Sequence, residues 1–244
     1  MTVRQQVGQW ILPRLPVTRF TFDLLRTELQ AWRVTICNRV WWPRRRRLQR
    51  LRGMRNLLIN VACGPHPLDR FVNLDLNPVR PEVVGWDCRW TLPFESDSAR
   101  GVRIEHFAEH LEPREELPSL LLDCHRILAG GGVLRVVVPD AARFLMAYCR
   151  PDRHGFDELA VPDPFPTDLP SRMDVVNHIF HQWHEHRWAY DFENMADRLQ
   201  RAGFARIEKM TFQRSLMPEL ACDAPNHAPY SLYVDAVKTA RSLD

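Results

Sequence analysis

The sequence predicts an α/β protein built on a doubly wound, largely parallel sheet of about seven strands. Short apolar runs recur along residues 56–244 and alternate with helical periodicity, an order typical of parallel sheets covered by helices. The length of 244 residues suffices for one large core, and 45% apolar with 26% charged residues is an ordinary globular composition. This composition argues against a disordered chain.

Seven segments are predicted to be strands, because each is a short apolar run bounded by glycine, proline or an acidic residue. They are residues 56–62, 71–75, 83–87, 101–104, 133–138, 205–212 and 231–238. Before the fifth strand, apolar residues three and four apart predict one face of a helix. These residues are Leu117, Leu120, Leu121, Cys124, Ile127 and Leu128. We expect the glycines at 130–132 to end this helix.

The second half of the chain contains a predicted insertion and one more helix. Prolines are frequent within residues 151–175. This stretch predicts a loop long enough to serve as a lid or a substrate-binding wall. Asp191 is predicted to be the N-cap of a helix that ends at Gly203.

Charge divides the chain into a basic helical N-terminal arm at 1–55 and an acidic body at 56–244. The arm contains 13 arginines and two acidic residues, whereas the body contains 20 basic and 28 acidic residues. Trp41 and Trp42 precede four consecutive arginines at 44–47. Such an arm suits an anionic membrane surface, a nucleic acid, or packing on the body or a second subunit. The acidic body disfavours nucleic acid.

Cysteine usage and hydropathy argue against a secreted or integral membrane protein. The six cysteines form no C-x-x-C pair, which favours a reducing compartment. No apolar run reaches the roughly 18–20 residues of a membrane span. Pro13 and Pro16 interrupt the N-terminal apolar stretch, which is not typical of a signal peptide. We expect a cytoplasmic protein, with peripheral contact to the inner membrane surface as an open alternative.

Polar and small residues follow the first four predicted strands. The first strand ends in Ala62, Cys63 and Gly64, and the next two end in Asp75 and Asp87. The fourth strand continues into Glu105. An open parallel sheet binds ligands at the carboxyl ends of its strands, where backbone N–H groups approach anions and a carboxylate accepts ribose hydroxyls. The pattern predicts a nucleoside-containing cofactor.

A dinucleotide cofactor is disfavoured. The G-x-G-x-x-G fingerprint is absent, because residues 62–67 read Ala-Cys-Gly-Pro-His-Pro. Asp75 follows Gly64 by only 11 residues, short of the roughly 20 residues that the fingerprint requires.

Residues 57–140 resemble the class I S-adenosylmethionine-dependent methyltransferases. They look most like the type 11-like, predicted methyltransferases of surface-polysaccharide pathways. The segments that carry the resemblance are LINVACG at 58–64, NLDLNP at 73–78, WD at 86–87, LPF at 92–94, EHFAEHL at 105–111, HRILAGGG at 125–132 and VVVPD at 136–140. Those in the C-terminal half are HEHRWAYD at 184–191, AGF at 202–204 and SLYVDAVK at 231–238. About three quarters of the chain is covered, and the arm lies largely outside.

The resemblance implies a Rossmann-like sheet with a final antiparallel strand and S-adenosyl-L-methionine as the cofactor. It places the methionine part of the cofactor at Ala62, Cys63 and Gly64. Asp75 would accept the ribose hydroxyls, and Leu76 would lie against the adenine.

The next two strand ends would complete the cofactor site. Asp87 and Cys88 would face the adenine edge, and Glu105, His106 and Phe107 would lie beside the sulfonium. Ala62 departs from the family, which usually has glycine at this position. Because alanine suits any unstrained conformation, we expect the added methyl group to be tolerated.

The family association implies transfer of a methyl group to a hydroxyl of a saccharide or glycan precursor. Histidine suits the role of general base there, and His106 is the first candidate, with His186 as the second. Glu109 and His110 are expected to be structural or capping residues. A glycan or another small molecule is thus the expected acceptor, and the oligomeric state stays open.

Three alternatives remain open at this point. The arm would suit a nucleic-acid-modifying methyltransferase, or a non-catalytic cofactor-binding module at a membrane. The histidines at 178, 181, 184 and 186 have spacings compatible with zinc. We nevertheless predict no metal, because the H-E-x-x-H spacing is absent and no cysteine is near.

Overall fold

The computed structural model describes residues 16–150, 156, 159 and 171–240. In this part of the chain, a seven-stranded sheet has the order β3-β2-β1-β4-β5-β7-β6. The strands are β1 (Leu57–Val61), β2 (Val72–Asp75), β3 (Val84–Gly85), β4 (Ala99–Glu105), β5 (Leu128–Pro139), β6 (Arg206–Met210) and β7 (Ser231–Val237). Neighbouring strands from β3 to β5 pair in parallel, and β7 runs antiparallel to both β5 and β6. The predicted Rossmann-like α/β sheet with a final antiparallel strand is confirmed.

Six α-helices accompany the sheet in the described residues. They are α1 (Arg19–Val40), α2 (Trp42–Arg52), α3 (Glu116–Ile127), α4 (Ala141–Cys149), α5 (Arg172–His181) and α6 (Phe192–Arg201). The predicted N-cap of α6 is present, since the Asp191 carboxylate accepts a hydrogen bond from the Asn194 N–H at 2.8 Å.

The core lies where the parallel strands are covered on both faces. All five residues of β1 are buried, as expected for a central parallel strand. The predicted apolar face of α3 is also buried, and consists of Leu117, Leu120, Leu121, Cys124 and Ile127. Burial on both sides therefore explains why β1 is an uninterrupted apolar run.

The predicted role of the glycines at 130–132 is wrong. Helix α3 ends at Ile127, and the glycines belong to β5. Close backbone approach explains Gly132, because a Cβ atom there would lie 2.9 Å from the Ala129 carbonyl oxygen and 3.1 Å from that of Arg100. Gly132 thus serves strand packing, and the glycines do not end α3.

The predicted insertion at 151–175 falls mostly outside the described residues. Its end is helical, because α5 begins at Arg172 with a capping box in which Ser171 and Asp174 exchange hydrogen bonds. The loop prediction therefore does not hold for residues 172–175.

The described residues of the basic arm contact the body. The Asn38 side chain donates a hydrogen bond to the Gly85 carbonyl at 2.9 Å. The guanidinium of Arg47 donates to the Pro81 carbonyl at 2.7 Å. Leu51 of α2 belongs to the main core. The arm helices therefore lie beside the loops that follow β2 and β3. Within the described ranges, no helix has the length and apolarity needed to cross a bilayer.

Candidate active site

The order of the strands creates a switch point between β1 and β4. From β1 the chain proceeds to β2 and β3 on one side, and β4 then pairs with β1 on the other side. Open α/β sheets bind ligands at such a switch point, outside the carboxyl ends of the strands. Residues 62–64 and 105–107 follow β1 and β4 directly at this position.

The turn after β1 has a left-handed backbone at two positions. Ala62 has a φ of 52° and Gly64 a φ of 55°. Glycine adopts this conformation freely, whereas a residue with a Cβ atom loses about 1–2 kcal/mol there. The ground on which the methyl group of Ala62 was expected to be tolerated, an unstrained backbone, is therefore absent. Strain of this kind is concentrated at ligand-binding turns.

Asp75 connects the ends of β1 and β2 by hydrogen bonding. One of its carboxylate oxygens accepts the Gly64 N–H at 2.8 Å, and the other accepts the Asn77 N–H at 2.7 Å. Each ionised oxygen has a second lone pair. The side chain predicted to hold the ribose thus fixes the predicted methionine turn and keeps acceptor capacity for a ligand.

Two thiols lie in the same region. Burial, with the nearby charge of Asp75, raises the pKa of Cys63 to about 12. Burial also raises the pKa of Cys88, whose thiol lies at the Ala62 backbone. Both groups are therefore neutral, unreactive thiols that line the β1 turn.

Asp87 is buried and already has a cationic partner. Arg89 Nε and Nη2 donate to its carboxylate at 3.0 and 2.8 Å. Arg89 also pairs with Glu28 of α1, at 2.5 Å. An adenine amino group at Asp87 would share the carboxylate with Arg89. Leu76 lies nearer to the arm, since its carbonyl accepts from Gln30 at 3.2 Å.

His106 begins the loop after β4 and has both ring nitrogens in hydrogen bonds. Nδ1 lies 3.1 Å from Glu109 Oε1, and Nε2 lies 2.9 Å from Ser231 Oγ. Its φ of 49° is left-handed, and the His227 ring lies 4.0 Å away between centroids. A buried carboxylate at Nδ1 makes Nδ1 the protonated nitrogen, so Nε2 has the basic lone pair.

Glu105 is connected to the same network through His227, whose Nδ1 lies 3.7 Å from Glu105 Oε1. Arg103 Nη2 lies 2.5 Å from its Oε2, and the Ala224 N–H donates to Oε1 at 3.1 Å. Burial raises the pKa of this carboxyl, but the His227 imidazole and the Arg103 charge outweigh burial and lower it to about 2. Phe107 packs against the main core as a partly buried residue.

His186 lies close to Glu109 and His110. Burial lowers the pKa of His186 to about 4, against the opposing charge of Glu109, so its ring is uncharged at neutral pH. Burial raises the pKa of Glu109, but the hydrogen bond to His106 and the surrounding histidines outweigh burial and hold the pKa at about 2. His106 and His186, the two predicted catalytic residues, are thus joined through Glu109.

Sequence reasoning missed the partners of His106. Glu109 was expected to be structural, and Ser231 and His227 were not considered. The spacing of three residues between His106 and Glu109 was a usable signal, whereas Ser231 lies 125 residues away in sequence. The histidine run at 178–186 is not one cluster, because α5 ends at His181 and His184 is exposed.

Comparison with known proteins returns structural similarity only. No protein-family model matches the chain, and no curated protein matches it. The fold is similar to that of a SAM-dependent methyltransferase from Archaeoglobus fulgidus, with a TM-score of 0.46, 18% identity, and coverage of 87% of this chain and 94% of that one. It is also similar to a SAM-dependent methyltransferase from Thermotoga maritima, with a TM-score of 0.44, 13% identity, and coverage of 85% and 100%.

Proposed function

We propose that the protein is an S-adenosyl-L-methionine-dependent methyltransferase. The observation that carries the proposal is the hydrogen bond of 2.8 Å between the Gly64 N–H and Asp75 at the β1–β4 switch point. It joins a tight turn, suited to the amino-acid part of the cofactor, to a carboxylate suited to ribose hydroxyls. The sequence resemblance supports the same cofactor. Ala62, Cys63, Leu76, Asp87, Cys88, Glu105 and Phe107 remain proposed contacts.

The proposed reaction is an in-line displacement. The bond between the sulfonium and its methyl group breaks as the acceptor oxygen bonds to that methyl group, and S-adenosylhomocysteine leaves. The cofactor supplies the activated methyl group, so the chain has to orient the acceptor and remove its proton. We assign proton removal to His106 Nε2, because Glu109 holds the opposite nitrogen in its protonated form. For an acceptor hydroxyl to donate to Nε2, the Ser231 hydroxyl that bonds Nε2 would have to rotate away.

The proposed acceptor is a hydroxyl group of a saccharide or glycan precursor. The sequence resemblance supports this choice.

Replacing Asp75 with asparagine is expected to weaken cofactor binding roughly 10–100-fold. The amide has only one acceptor oxygen for two backbone N–H donors and the ribose, and a hydrogen bond to a charged group contributes about 1.5–3 kcal/mol. Calorimetric titration of the full chain with S-adenosyl-L-methionine measures the change. Incubation with methyl-labelled cofactor and candidate glycans, followed by mass spectrometry, tests for the gain of one methyl group.

The matched control is Asp197→Asn, which removes one carboxylate from an exposed surface pair with Arg201. It should leave cofactor affinity unchanged. Failure of the wild-type chain to bind the cofactor would refute the proposed function. Equal affinity of the Asp75 variant and the wild type would refute the proposed ribose site.

A second proposal concerns location, and an exposed apolar stripe on α1 favours it. Leu25, Leu29, Trp32, Ile36 and Val40 recur at helical spacing, and Trp32 and Val40 are each 70% exposed. The exposed Trp41 and Trp42 continue the stripe, with Arg46 stacked 4.3 Å from the Trp42 ring. Apolar residues next to arginines complement an anionic bilayer surface. We propose that α1 binds the surface of an anionic membrane.

Replacing Leu29 with serine is expected to reduce binding to anionic vesicles roughly 10–100-fold, because burial of one leucine contributes about 1.5–3 kcal/mol. Co-sedimentation with vesicles of phosphatidylcholine, with and without phosphatidylglycerol, measures it. Leu122→Ser, at a similarly exposed leucine of α3, is the control and should bind as the wild type does. Vesicle binding that does not depend on anionic lipid contradicts the proposal. Salt-sensitive binding to nucleic acid in the absence of vesicle binding also contradicts it.

A further inference from the structure

Three side chains beside His106 bring metal-ligating atoms close to one another. Glu109, His110 and His186 each offer one ligand atom, and these atoms all lie within 4.8 Å of one another. Glu109 and His186 are buried, and His110 is partly exposed. The 3-10 turn Ala108–His110 supplies two of them, and the chain after α5 supplies the third. This cluster differs from the histidine run in the sequence, of which it contains only His186.

Backbone carbonyls fix which nitrogen of each imidazole is free. His186 Nδ1 lies 2.6 Å from the Ile179 carbonyl oxygen, and His110 Nδ1 lies 3.0 Å from that of Glu185. A carbonyl only accepts hydrogen bonds, so each Nδ1 is protonated and each Nε2 has a free lone pair. Metal-binding histidines typically show this arrangement, in which the second ring nitrogen donates to a carbonyl or carboxylate and orients the ring.

The carboxylate of Glu109 provides an independent sign of a ligand. Its Oε1 is used by His106, but its Oε2 is fully buried and has no hydrogen-bond partner among the described residues. Glu109 itself is only 1% exposed. An unpaired anionic oxygen in the interior is costly, and a cation offsets that cost directly.

We propose that Glu109, His110 and His186 bind a divalent transition-metal ion such as Zn²⁺. Two imidazoles and one carboxylate match zinc sites that keep a fourth position open for water or substrate. Ligand atoms about 2.1 Å from a tetrahedral ion are about 3.4 Å apart, so binding would draw atoms that lie within 4.8 Å of one another together by up to about 1.4 Å. Such a small adjustment is within reach of side-chain rotation.

The site has a consequence for the proposed methyl transfer, and this consequence rests on that function. The Oε2 atom of Glu109 would bind the ion, whereas its Oε1 atom accepts the hydrogen bond from His106. The ion and the proposed base therefore share one carboxylate.

Titration of the chelator-treated full chain with Zn²⁺, in competition with a chromophoric chelator, tests the site. We expect one ion per chain and an increase in the thermal midpoint, because an ion that binds only the folded state stabilises it. His110→Ala and Glu109→Gln should each weaken Zn²⁺ binding by roughly 100-fold or more and abolish that increase. The substitution of Glu109 conserves its size, and His110 is partly exposed, so both chains should fold.

His181→Ala is the matched control, because this exposed histidine belongs to the sequence run but not to the cluster. It should bind Zn²⁺ as the wild type does. No Zn²⁺ binding by the wild type, or binding lost in His181→Ala and retained in His110→Ala, overturns the proposal. Calorimetry with S-adenosyl-L-methionine on the same proteins separates the two questions. Normal cofactor binding without Zn²⁺ binding rejects the metal site alone.

Discussion

Replacing Arg135 with methionine is expected to lower the free energy of unfolding by about 3 kcal/mol. Arg135 is fully buried in β5, where Nε and Nη2 bind the Asp223 carboxylate at 2.8 and 2.7 Å. Its Nη1 binds Asp235 of β7 at 2.8 Å. Methionine would leave two buried carboxylates without their cation, and breaking a buried ion pair in this way costs about 3–5 kcal/mol. Arg103, 3.9 Å from Asp223, retains part of the neutralisation and favours the lower value.

Urea denaturation followed by circular dichroism measures this loss. The control is Arg201→Met, which removes an arginine from an exposed pair with Asp197 and should cost no more than about 0.5 kcal/mol. Replacing Arg135, Asp223 and Asp235 together with apolar residues should restore much of the stability, since neither carboxylate is then left buried without its cation. A loss below about 1 kcal/mol for Arg135→Met alone would show that the carboxylates find other partners.

Replacing His106 with asparagine is expected to reduce methyl transfer roughly 10²–10⁴-fold while cofactor affinity stays unchanged. This is the usual contribution of general acid–base catalysis, and asparagine has no basic nitrogen to replace Nε2. Asparagine is the appropriate substitution because it tolerates the left-handed backbone at φ 49° better than most residues. Single-turnover transfer from methyl-labelled cofactor, together with calorimetric binding, measures the two quantities separately.

His184→Asn is the matched control for this substitution. His184 is an exposed histidine that also has a left-handed backbone, with a φ of 77°. Its replacement should leave transfer unchanged. Transfer by the His106 variant at the wild-type rate would remove His106 from the mechanism. It would then favour His186 as the base, the second candidate from the sequence.

The residues at the strand ends could be predicted from the sequence, because the local pattern locates each strand and the sheet geometry brings the strand ends together. The apolar run before Ala62 identifies a buried strand, and Asp75 is recognisable as the acidic residue at the end of the next apolar run. Parallel strands bring their carboxyl ends to one edge, so the proximity of Gly64 and Asp75 follows once the strands are placed. The same reasoning predicted the cap at Asp191, because an N-cap depends on residues only three apart.

Partners distant in sequence were not predictable in this way. Glu28 lies 61 residues from Arg89, yet the two form an ion pair that also engages the buried Asp87. No period or spacing encodes such a contact. The conformation of Ala62 was likewise hidden, since a residue name does not reveal a positive φ that the surrounding turn imposes.

The sequence alone determined the α/β class, the parallel sheet and the polar residues at its carboxyl edge, because hydrophobic period and turn chemistry are local properties. Tertiary structure alone decided that His106 meets Ser231, and that His186 approaches Glu109 and His110. Those contacts depend on how β7 and the chain after α5 pack against the loop that follows β4. Packing of this kind is set by the shape of the whole core, which no short segment contains.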